Sequence, residues 1–553
     1  MTVQKTNYPT LEALENAKEF DYPNFLLKNT GIFWETKRGS IRIATEPIFI
    51  GKEYYDEKSG TYSVELVTRK KGKPLKIILP VVDLMDSSPK KLIAAGIPIL
   101  PKYYKELQSF LVIQRDFSPE GTITPIIGWQ EIKGKLQYNL RDAEDGDVIV
   151  KNSNFSISQA GSYEKWRQGF QKLICPSVDM MVLVLLALVT IFVGLDPFLM
   201  QLGIEPFVLH VYDSSSKGKT TILRVIVSIF SNPDIADSRG LFRSHSSTLN
   251  ALTKLGGLSG VVVGIDDSAA GSEGNLTPLP YRIANAVDKF RLDSSGQPLE
   301  TDTFRVVAVS TGEDSLFSSM SKKGGVQVRT TEVTDMQLTH SAKHAADITS
   351  VFTTNYGFLA EDFSANILEN SEEIKPRILT IQGELLEKIE LDSERLQRVS
   401  IRFATALYAG EVLVRMGYEI PMEEILAKIV GLLNKESFKL DHSKTAQHLL
   451  KAYVEEHKHQ FDIDGSSAKS FQNVLGRINL LDGDTNKYRV RISEPVFGRI
   501  LSDLGLPDQR IVLKAWKKNG LLVNVDSDRY HTRTKDGAKY ASFKLQLDLK
   551  DCD

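Results

Sequence analysis

Short runs of β-forming residues, separated by turn residues, fill the N-terminal part of the chain. Between Asn24 and Trp129 these runs are residues 32–36, 41–44, 47–50, 62–67 and 75–81. Their length and spacing predict a small antiparallel sheet domain, which we place at residues 1–140. Lys and Gly are common in turns, so the basic residues 69–73 favour a solvated turn over a finger that contacts DNA.

A long apolar run follows a polar connector at residues 141–147 and a predicted helix near residues 161–166. Residues 180–195 carry no charged side chain over 16 positions. A helix needs roughly 20 apolar residues to span a bilayer. The run therefore predicts a buried helix that packs on the sheet of the domain that follows.

Residues 207–230 change their period of hydrophobicity in the middle. A β-forming run at 207–212 enters a loop of small residues, and the loop opens into a segment with apolar residues at Ile222, Val225, Ile226 and Ile229. This spacing is helical. The stretch predicts a strand, a loop and a helix in direct succession.

Two further apolar runs end in polar residues. Residues 260–267 end in two aspartates, and residues 304–313 end in hydroxyl side chains. Continuous apolar runs are typical of strands buried on both faces of a parallel sheet, and the carboxyl edge of such a sheet is where ligands bind. We therefore predict an α/β domain at residues 141–340.

The remaining chain is predicted to be helical and then mixed. Amphipathic stretches at residues 395–416 and 422–433 place a helical region at 341–460. Residues 461–467 are typical of a linker or of the start of the last domain.

The last segment, residues 461–553, predicts a winged helix. It carries short helices at 496–504 and 508–519, followed by a two-stranded wing at 520–525 and 540–547. The fold class predicted for the whole chain is thus α/β, with a β-rich front, a helical region and a C-terminal winged helix.

Composition narrows the class of protein. A chain of 553 residues implies three or four domains, and 42% hydrophobic with 25% charged residues is ordinary for a soluble protein. The net charge of −2 gives no overall basic signature, so contacts with nucleic acid require local patches. Cys175 and Cys552 are the two cysteines, which excludes a disulfide framework. We expect a cytoplasmic protein without a signal peptide or a membrane partner.

The loop after residue 212 carries the first candidate chemistry. Its end, Gly218-Lys219-Thr220, is typical of a loop whose backbone N–H groups cradle phosphates, while the lysine reaches the β- and γ-phosphates and the threonine hydroxyl binds Mg²⁺. We therefore expect Mg²⁺ and ATP to bind here, with contacts from Ser215, Ser216, Gly218, Lys219, Thr220 and Thr221. Asp213 replaces the first glycine of the motif, and the tripeptide alone also occurs by chance.

The two neighbouring strands favour the phosphate-binding interpretation. Asp266 is placed to hold Mg²⁺, and Asp267 stands where such ATPases usually carry the glutamate that polarises the attacking water. Ser310 and Thr311 are placed to contact the γ-phosphate or orient that water.

Arginines supply the remaining catalytic candidates. Arg329, before a predicted fourth core strand, is placed to reach the γ-phosphate of a neighbouring subunit, and an ordinary ion-paired arginine is the alternative. Arg398 and Arg402, four residues apart on one helical face, are candidates for a second phosphate sensor.

Two segments carry candidate DNA contacts. A predicted hairpin around residues 294–298 has Lys289 and Arg291 beside it, and a purely structural hairpin is the alternative. From Ser466 to Asp553 the chain has 16 Lys and Arg against 11 Asp and Glu. The basic residues of the predicted second helix and wing are Arg510, Lys514, Lys517, Lys518, Arg529 and Arg533. Such residues are typical of phosphate contacts, although winged helices also bind proteins.

The motifs together resemble a known family. His210, residues 215–221, 248–252, 265–267, 310–313 and 328–329 are similar to the helicase-like ATPase domain of phages, plasmids and integrated elements. The whole chain resembles the self-loading replicative helicases of staphylococcal mobile elements, namely the Cch helicases of resistance cassettes and the Rep initiators of pathogenicity islands, which share their architecture with the minichromosome-maintenance (MCM) helicases. Asp213, Thr253 and Asp267 depart from the family pattern.

The resemblance implies an AAA+-type P-loop ATPase core and an ATP-dependent DNA helicase. It implies a ring, a homo-hexamer, that acts on single- and double-stranded DNA with element-encoded replication partners, and it assigns the hairpin to the central channel. Two other classes stay open: a DNA-binding initiator or regulator that uses nucleotide only as a switch, and a protein-remodelling ATPase of related fold.

Overall fold

The computed structural model describes residues 8–214, 217–244, 254–266, 278–287, 302–316, 328–389, 394–440, 442–463, 475–481, 487–504, 509–518, 520–523, 530–533 and 539–547. All statements below concern these residues.

The N-terminal part is built on two sheets and short helices. Its elements are α1 (Leu11–Glu15), β1 (Phe20–Tyr22), β2 (Phe25–Lys28), β3 (Gly31–Thr36), β4 (Gly39–Ala44), β5 (Phe49–Asp56), β6 (Thr61–Lys70), β7 (Lys73–Pro80), α2 (Val81–Leu84), α3 (Lys90–Ala94), α4 (Tyr104–Arg115), β8 (Glu120–Thr124), β9 (Ile127–Ile132), β10 (Lys135–Asn139) and β11 (Val148–Val150). One sheet has the order β1-β2-β3-β4 and the other β11-β8-β5-β6-β7.

The second of these sheets is mixed, whereas the sequence predicts an antiparallel one. β5, β6 and β7 form antiparallel hairpins, but β8 pairs in parallel with β5, and β11 in parallel with β8. α4 carries the chain back before β8 begins, so β8 enters in the same direction as β5. The apolar faces of both sheets and of α4 share one hydrophobic cluster.

The central part alternates strands and helices. Its elements are α5 (Tyr163–Gly169), α6 (Val178–Leu195), β12 (Phe207–Tyr212), α7 (Lys219–Ser228), β13 (Phe242–Ser244), β14 (Leu258–Asp266), α8 (Pro278–Asn285), β15 (Arg305–Gly312) and β16 (Thr330–Val333). The central sheet has the order β10-β9-β14-β15-β12-β16, and β13 also pairs with β14. The pairs β13–β14, β14–β15, β12–β15 and β12–β16 are all parallel.

The hairpin β9–β10 lies inside the segment predicted as the N-terminal domain but joins the central sheet. Residues Leu258 and Ser259 of β14 pair with Ile127 and Gly128 of β9. Gly128 has φ +103°, and a Cβ there would lie 1.8 Å from the Ser259 carbonyl oxygen. A glycine is therefore needed for β9 to approach β14.

The apolar run of residues 180–195 forms α6 and is buried throughout. By length and composition the segment from Val178 to Met200 could cross a membrane, but 89% of its apolar window is buried inside the protein. Thr190, the polar residue of this run, donates to the Val261 carbonyl and accepts from the Val307 N–H, each at 2.9 Å. The prediction of a buried helix on the central sheet is confirmed.

The C-terminal part begins with a helical region. Its elements are α9 (Ala342–Thr354), α10 (Leu359–Glu369), α11 (Ser371–Leu386), α12 (Glu394–Arg415), α13 (Met422–Leu440), α14 (His442–Glu456), β17 (Phe461–Ile463), β18 (Gly476–Leu480), β19 (Lys487–Ser493), α15 (Glu494–Asp503), α16 (Gln509–Lys518), β20 (Thr532–Arg533) and β21 (Lys539–Gln546). Helices α9 to α13 pack in the same hydrophobic cluster as α6 and the central sheet.

A separate hydrophobic cluster holds the C-terminal elements together. The sheet order is β17-β18-β19-β21-β20, and Ala446, Leu450 and Val454 of α14 pack against it together with Trp516 of α16. Phe461, predicted as linker, instead starts β17 because its side chain is buried in this cluster. Residues 464–467 of the predicted linker lie outside the described residues.

Candidate nucleotide site

The candidate site lies at the carboxyl edge of the central sheet. Tyr212, the last residue of β12, pairs with Gly312, the last residue of β15. Asp266 ends the neighbouring strand β14. Because these strands are parallel, the loops that follow them leave the sheet side by side, as the sequence predicts.

Gly218 joins the loop after β12 to α7. It precedes the first residue of the helix and has φ +88°, a left-handed conformation that suits glycine. A Cβ at this position would lie 2.6 Å from Cγ2 and 2.8 Å from Oγ1 of Thr339. Conformation and close packing both require glycine here.

The Lys219 side chain is held by hydrogen bonds to the loop that follows β12. Its Nζ donates to the backbone carbonyls of Asp213 at 2.5 Å and Ser214 at 2.8 Å. These acceptors are neutral, so the bonds orient the ammonium group without compensating its charge. The arrangement offers a positioned cation to an anion bound at the start of α7.

Two hydroxyl groups converge on one carboxylate oxygen. Thr220 Oγ1 donates to Asp266 Oδ1 at 3.1 Å, and Thr311 Oγ1 donates to the same oxygen at 2.5 Å. The three side chains come from α7, β14 and β15. The sequence predicts a role for each at this edge, and the structure brings them together.

Asp213, which replaces the first glycine of the motif, keeps a negative φ, as the positive-φ residues of the described chain do not include it. Its carboxylate accepts hydrogen bonds from the N–H of Ser214 at 2.7 Å and from the Ser214 hydroxyl at 3.2 Å. No left-handed residue is thus needed at position 213, and the missing glycine costs no backbone strain.

The loop borders a cavity of about 700 Å³ that has three walls. Residues 217–221 form the first wall. Asp266 and residues 311–313 form the second, and residues 339–342 with Ala345, at the start of α9, form the third. The sequence does not predict the third wall, since no motif marks it; the sole local signal is Ser341, whose Oγ accepts from the N–H of His344 and caps α9.

His210 links β12 to the end of β15. This imidazole is completely buried, with Nδ1 3.1 Å from the hydroxyl of Ser310 and Nε2 3.0 Å from the carbonyl oxygen of Asp314. Ser310 therefore faces the interior of the sheet, whereas its neighbour Thr311 lines the cavity. Beside this pair, the Ser315 hydroxyl donates to the buried carboxylate of Glu332 on β16.

The arginines predicted as phosphate sensors lie at the opposite edge of the sheet. Arg402 is 2% exposed, its guanidinium carbon is 4.5 Å from the ring centroid of Phe207, and burial lowers the pKa of Arg402 to about 10. Phe207 begins β12, whereas the loop that carries Gly218 and Lys219 follows the other end of this strand, about 17 Å away at 3.3 Å per residue. Arg398 donates to Glu205 at 2.7 Å, just before β12. Neither arginine reaches the cavity of its own chain, because α12 packs near the start of β12.

Arg329 lies at this same edge, immediately before β16. Its guanidinium carbon is 5.1 Å from the ring centroid of Tyr281. Thr330, the next residue, pairs with Val208 near the start of β12, and Arg329 is not among the residues that line the cavity of its own chain. A role on the nucleotide of a neighbouring chain is a proposal.

Several basic residues that the sequence predicts to contact duplex DNA lie in the described C-terminal part. Lys514 and Lys518 are exposed and one helical turn apart on α16, while Lys517 Nζ lies 5.4 Å from the centroid of the Tyr530 ring. Arg510 lies in α16 and Arg533 in β20. Ser215, Ser216, Asp267, Lys289, Arg291, Arg529 and the hairpin around 294–298 lie outside the described residues.

Comparisons with known proteins agree with this architecture. Residues 26–298 match the family model described as a domain of unknown function, DUF927, and residues 441–546 match the model described as the Cch helix turn helix domain. Among curated proteins, none matches the sequence at a significant level.

Solved structures provide the second comparison. A structure of SCCmec type IV Cch, described as an active helicase, is 22% identical, has a TM-score of 0.70, and is matched over 96% of this chain and 98% of that chain. The apo C-terminal region of NrS-1 is 8% identical over 90% of this chain and 96% of that chain, and its TM-score of 0.30 carries no argument. The chain therefore has the fold of the Cch helicase and a C-terminal segment that matches the Cch helix turn helix domain, which confirms the resemblance predicted from the sequence.

Proposed function

We propose that the chain is an ATP-dependent DNA helicase that unwinds DNA in the replication of a mobile genetic element. The observation that carries the proposal is the convergence of Thr220 and Thr311 on Asp266, beside the ammonium group of Lys219. Hydroxyl, carboxylate and ammonium groups at a helix N-terminus are the groups that bind a nucleotide polyphosphate with its metal ion.

The core is an AAA+-type P-loop ATPase in this proposal. The parallel strands have the order β13-β14-β15-β12-β16, with the phosphate loop after the strand that lies between β15 and β16. The domains follow the sequence prediction, with a β-rich domain at 1–140, the core at 141–340, a helical region at 341–460 and the winged helix at 461–553. The exception is the hairpin β9–β10, which we assign to the core because it joins the central sheet. The solved Cch relative is an active helicase, which supports the coupling of such a core to DNA.

The metal ion would be Mg²⁺. The hydroxyl of Thr220 and the carboxylate of Asp266 are adjacent oxygen donors, which fits an ion that usually keeps several waters and takes few protein ligands. Within the described residues no group of three or more His, Cys, Asp or Glu side chains could hold a metal ion by itself. When bound, Mg²⁺ neutralises charge that develops on the phosphates.

Hydrolysis is assigned to the residues around this pair. Lys219 leaves the two loop carbonyls and pairs with the β- and γ-phosphates, while Ser215, Ser216, Gly218 and Thr221 complete the cradle. Asp267 orients and polarises the attacking water, and Thr311 holds the Asp266 carboxylate in place. Ser310 does not line the cavity, and its role is to position the end of β15 through its hydrogen bond to His210.

Arg329 and Arg398 are assigned to the nucleotide of the neighbouring subunit, whereas Arg402, which is 2% exposed, supports the same edge from inside the protein. Arg329, Arg398 and Arg402 lie near the start of β12, on the far side of the sheet from their own phosphate loop. A ring places this edge of one subunit against the carboxyl edge of the next, so that Arg329 stabilises charge on the neighbour's γ-phosphate. A heterologous contact of this kind forms a ring when the rotation between subunits closes, and we propose a homo-hexamer.

DNA binds at two places in this proposal. Lys289 and Arg291, beside the hairpin, contact the strand in the channel, and Arg510, Lys514, Lys517, Lys518, Arg529 and Arg533 contact duplex phosphates from the winged helix. The exposed positions of Lys514 and Lys518 and the match to a helix turn helix domain support the second assignment. The protein would act in the cytoplasm with element-encoded replication partners.

The test is ATP hydrolysis measured with and without single-stranded and forked DNA. The proposal expects hydrolysis that DNA stimulates and that Lys219→Ala abolishes with the fold intact. Nucleotide binding without DNA-stimulated turnover would instead support a nucleotide-switched initiator, and turnover of Lys219→Ala within a few-fold of wild type would refute the phosphate loop.

A further inference from the structure

The wall of the nucleotide cavity that α9 forms is left without a role by the assignments above. Phosphates and metal occupy the side bounded by residues 217–221, Asp266 and Thr311. A nucleotide has a base and a sugar besides its phosphates, and the cavity of about 700 Å³ is large enough to hold a small ligand of this kind. The start of α9 closes the cavity on the remaining side.

Two imidazole rings stand at this wall. His340 lines the cavity and is exposed, and the ring of His344 lies behind it with centroids 5.1 Å apart and an interplanar angle of 12°. The two rings are thus stacked. His340 therefore places an aromatic ring, stacked on His344, at the edge of the cavity.

Hydrogen bonds fix this pair at the helix start. The His344 N–H donates to the hydroxyl of Ser341 at 3.1 Å, and the His344 Nδ1 accepts from the His340 N–H at 3.4 Å. This reciprocal pattern resembles a capping box, in which the third helical residue reaches back to the turn before the helix. The second ring is therefore oriented by the backbone, and it supports the first.

The segment before α9 also packs directly against the loop that precedes α7. Thr339, directly before His340, packs so closely on Gly218 that no Cβ fits between them. Ala342 and Ala345, the helical residues that line the cavity, have small side chains. The start of the wall thus packs directly against the loop, and small side chains line the cavity next to His340.

We propose that His340 is the residue that binds the base of the nucleotide, by stacking, and that His344 positions it. This inference rests on the proposed function, because it assigns the base end of the same ligand. Stacking on an aromatic ring is tolerant of base identity, since every base has a π face. The wall would accordingly set affinity for nucleosides over bare polyphosphate.

The test compares Mg·ATP with Mg·tripolyphosphate, which carries the phosphates without a base, by equilibrium binding to the full chain. His340→Ala should weaken ATP binding by about five- to twentyfold, the lower part of the range for loss of one stacked base, and leave tripolyphosphate binding unchanged. His340→Phe should restore ATP binding, since it replaces one aromatic face with another. Lys343→Ala, in the same turn but outside the cavity lining, is the matched control and should change neither.

Two results would overturn the inference. One is unchanged ATP affinity in His340→Ala; the other is an equal loss for ATP and tripolyphosphate, which would mean that the imidazole contacts phosphate. If wild-type protein binds neither ligand, the nucleotide site itself is refuted, and that outcome is distinct from both.

Discussion

Gly218→Ala offers a quantitative test of the phosphate loop. The new Cβ sits on a backbone with φ +88°, which costs about 1–2 kcal/mol for a residue other than glycine. It also meets Thr339 Cγ2 at 2.6 Å, and overpacking of this kind typically costs about 1–3 kcal/mol. The sum of about 2–5 kcal/mol destabilises the loop conformation that we propose binds phosphate.

The expected result is a loss of Mg·ATP affinity of roughly thirtyfold or more, since about 1.4 kcal/mol corresponds to a factor of ten. Adding Thr339→Ala removes the two nearest atoms and leaves Cβ at 3.2 Å, so it should recover the steric part, roughly tenfold, but not the conformational part. Calorimetric titration of the four proteins of this cycle separates the two terms, with Thr339→Ala alone close to wild type as the control.

The reasoning fails if Gly218→Ala binds Mg·ATP within threefold of wild type. It also fails in part if Thr339→Ala restores nothing, because the contact would then not be what excludes a side chain. Circular dichroism and thermal unfolding of each variant show whether the loss is confined to the loop.

The remaining predictions concern hydrolysis, the ring and DNA. Thr311→Val deletes the 2.5 Å hydrogen bond to the Asp266 carboxylate. Because a hydrogen bond to a charged group contributes about 1.5–3 kcal/mol, steady-state kinetics should show kcat reduced about ten- to hundredfold, with ATP affinity nearly unchanged. An unaffected kcat would remove Thr311 from the catalytic residues. Arg329→Ala should bind ATP but not hydrolyse it, and mixing it with Lys219→Ala should restore part of the hydrolysis at composite sites; full activity of Arg329→Ala alone would show that the residue is structural. Replacing Lys514 and Lys518 together by Ala should reduce the slope of log affinity for duplex DNA against log salt concentration by about two, as measured by fluorescence anisotropy. ATP hydrolysis without DNA should stay at the wild-type rate. An unchanged slope would mean that the duplex binds at another surface.

The local sequence pattern is sufficient to predict the side of the site that we assign to the phosphates. The strand, loop and helix from Phe207 to Ser228 follow from hydrophobic period and from glycine at the helix start. Asp266 and Thr311 follow because parallel strands bring their carboxyl ends to one edge. These inferences need no knowledge of distant packing.

The α9 wall and the position of Arg402 cannot be predicted in this way. Thr339 and His340 lie far beyond Gly218 in the chain, and only the path from β16 to α9 brings them to the loop. Arg402 has the spacing of a sensor, but its place is set by the packing of α12 near Phe207. Tertiary packing decides both, and the periodicity of a single element carries no information about it.

The N-terminal sheet β11-β8-β5-β6-β7 and the C-terminal part also depend on tertiary packing that the local sequence pattern does not predict. β8 enters the N-terminal sheet in parallel with β5 because of the crossover through α4, and β11 pairs in parallel with β8 after the excursion through the hairpin β9–β10. The spacing of short strands reveals neither connection. Phe461 has the polar neighbours of a linker residue, yet its burial makes it part of a strand. Domain boundaries drawn from composition remain predictions.

The most direct test of the helicase proposal is strand displacement on forked DNA by the full chain, with a fluorescent label on one strand. The proposal predicts displacement that requires hydrolysable ATP and is absent in Lys219→Ala. Hydrolysis of ATP by wild-type protein without any displaced strand, across forks with 3′ and 5′ tails, would contradict it.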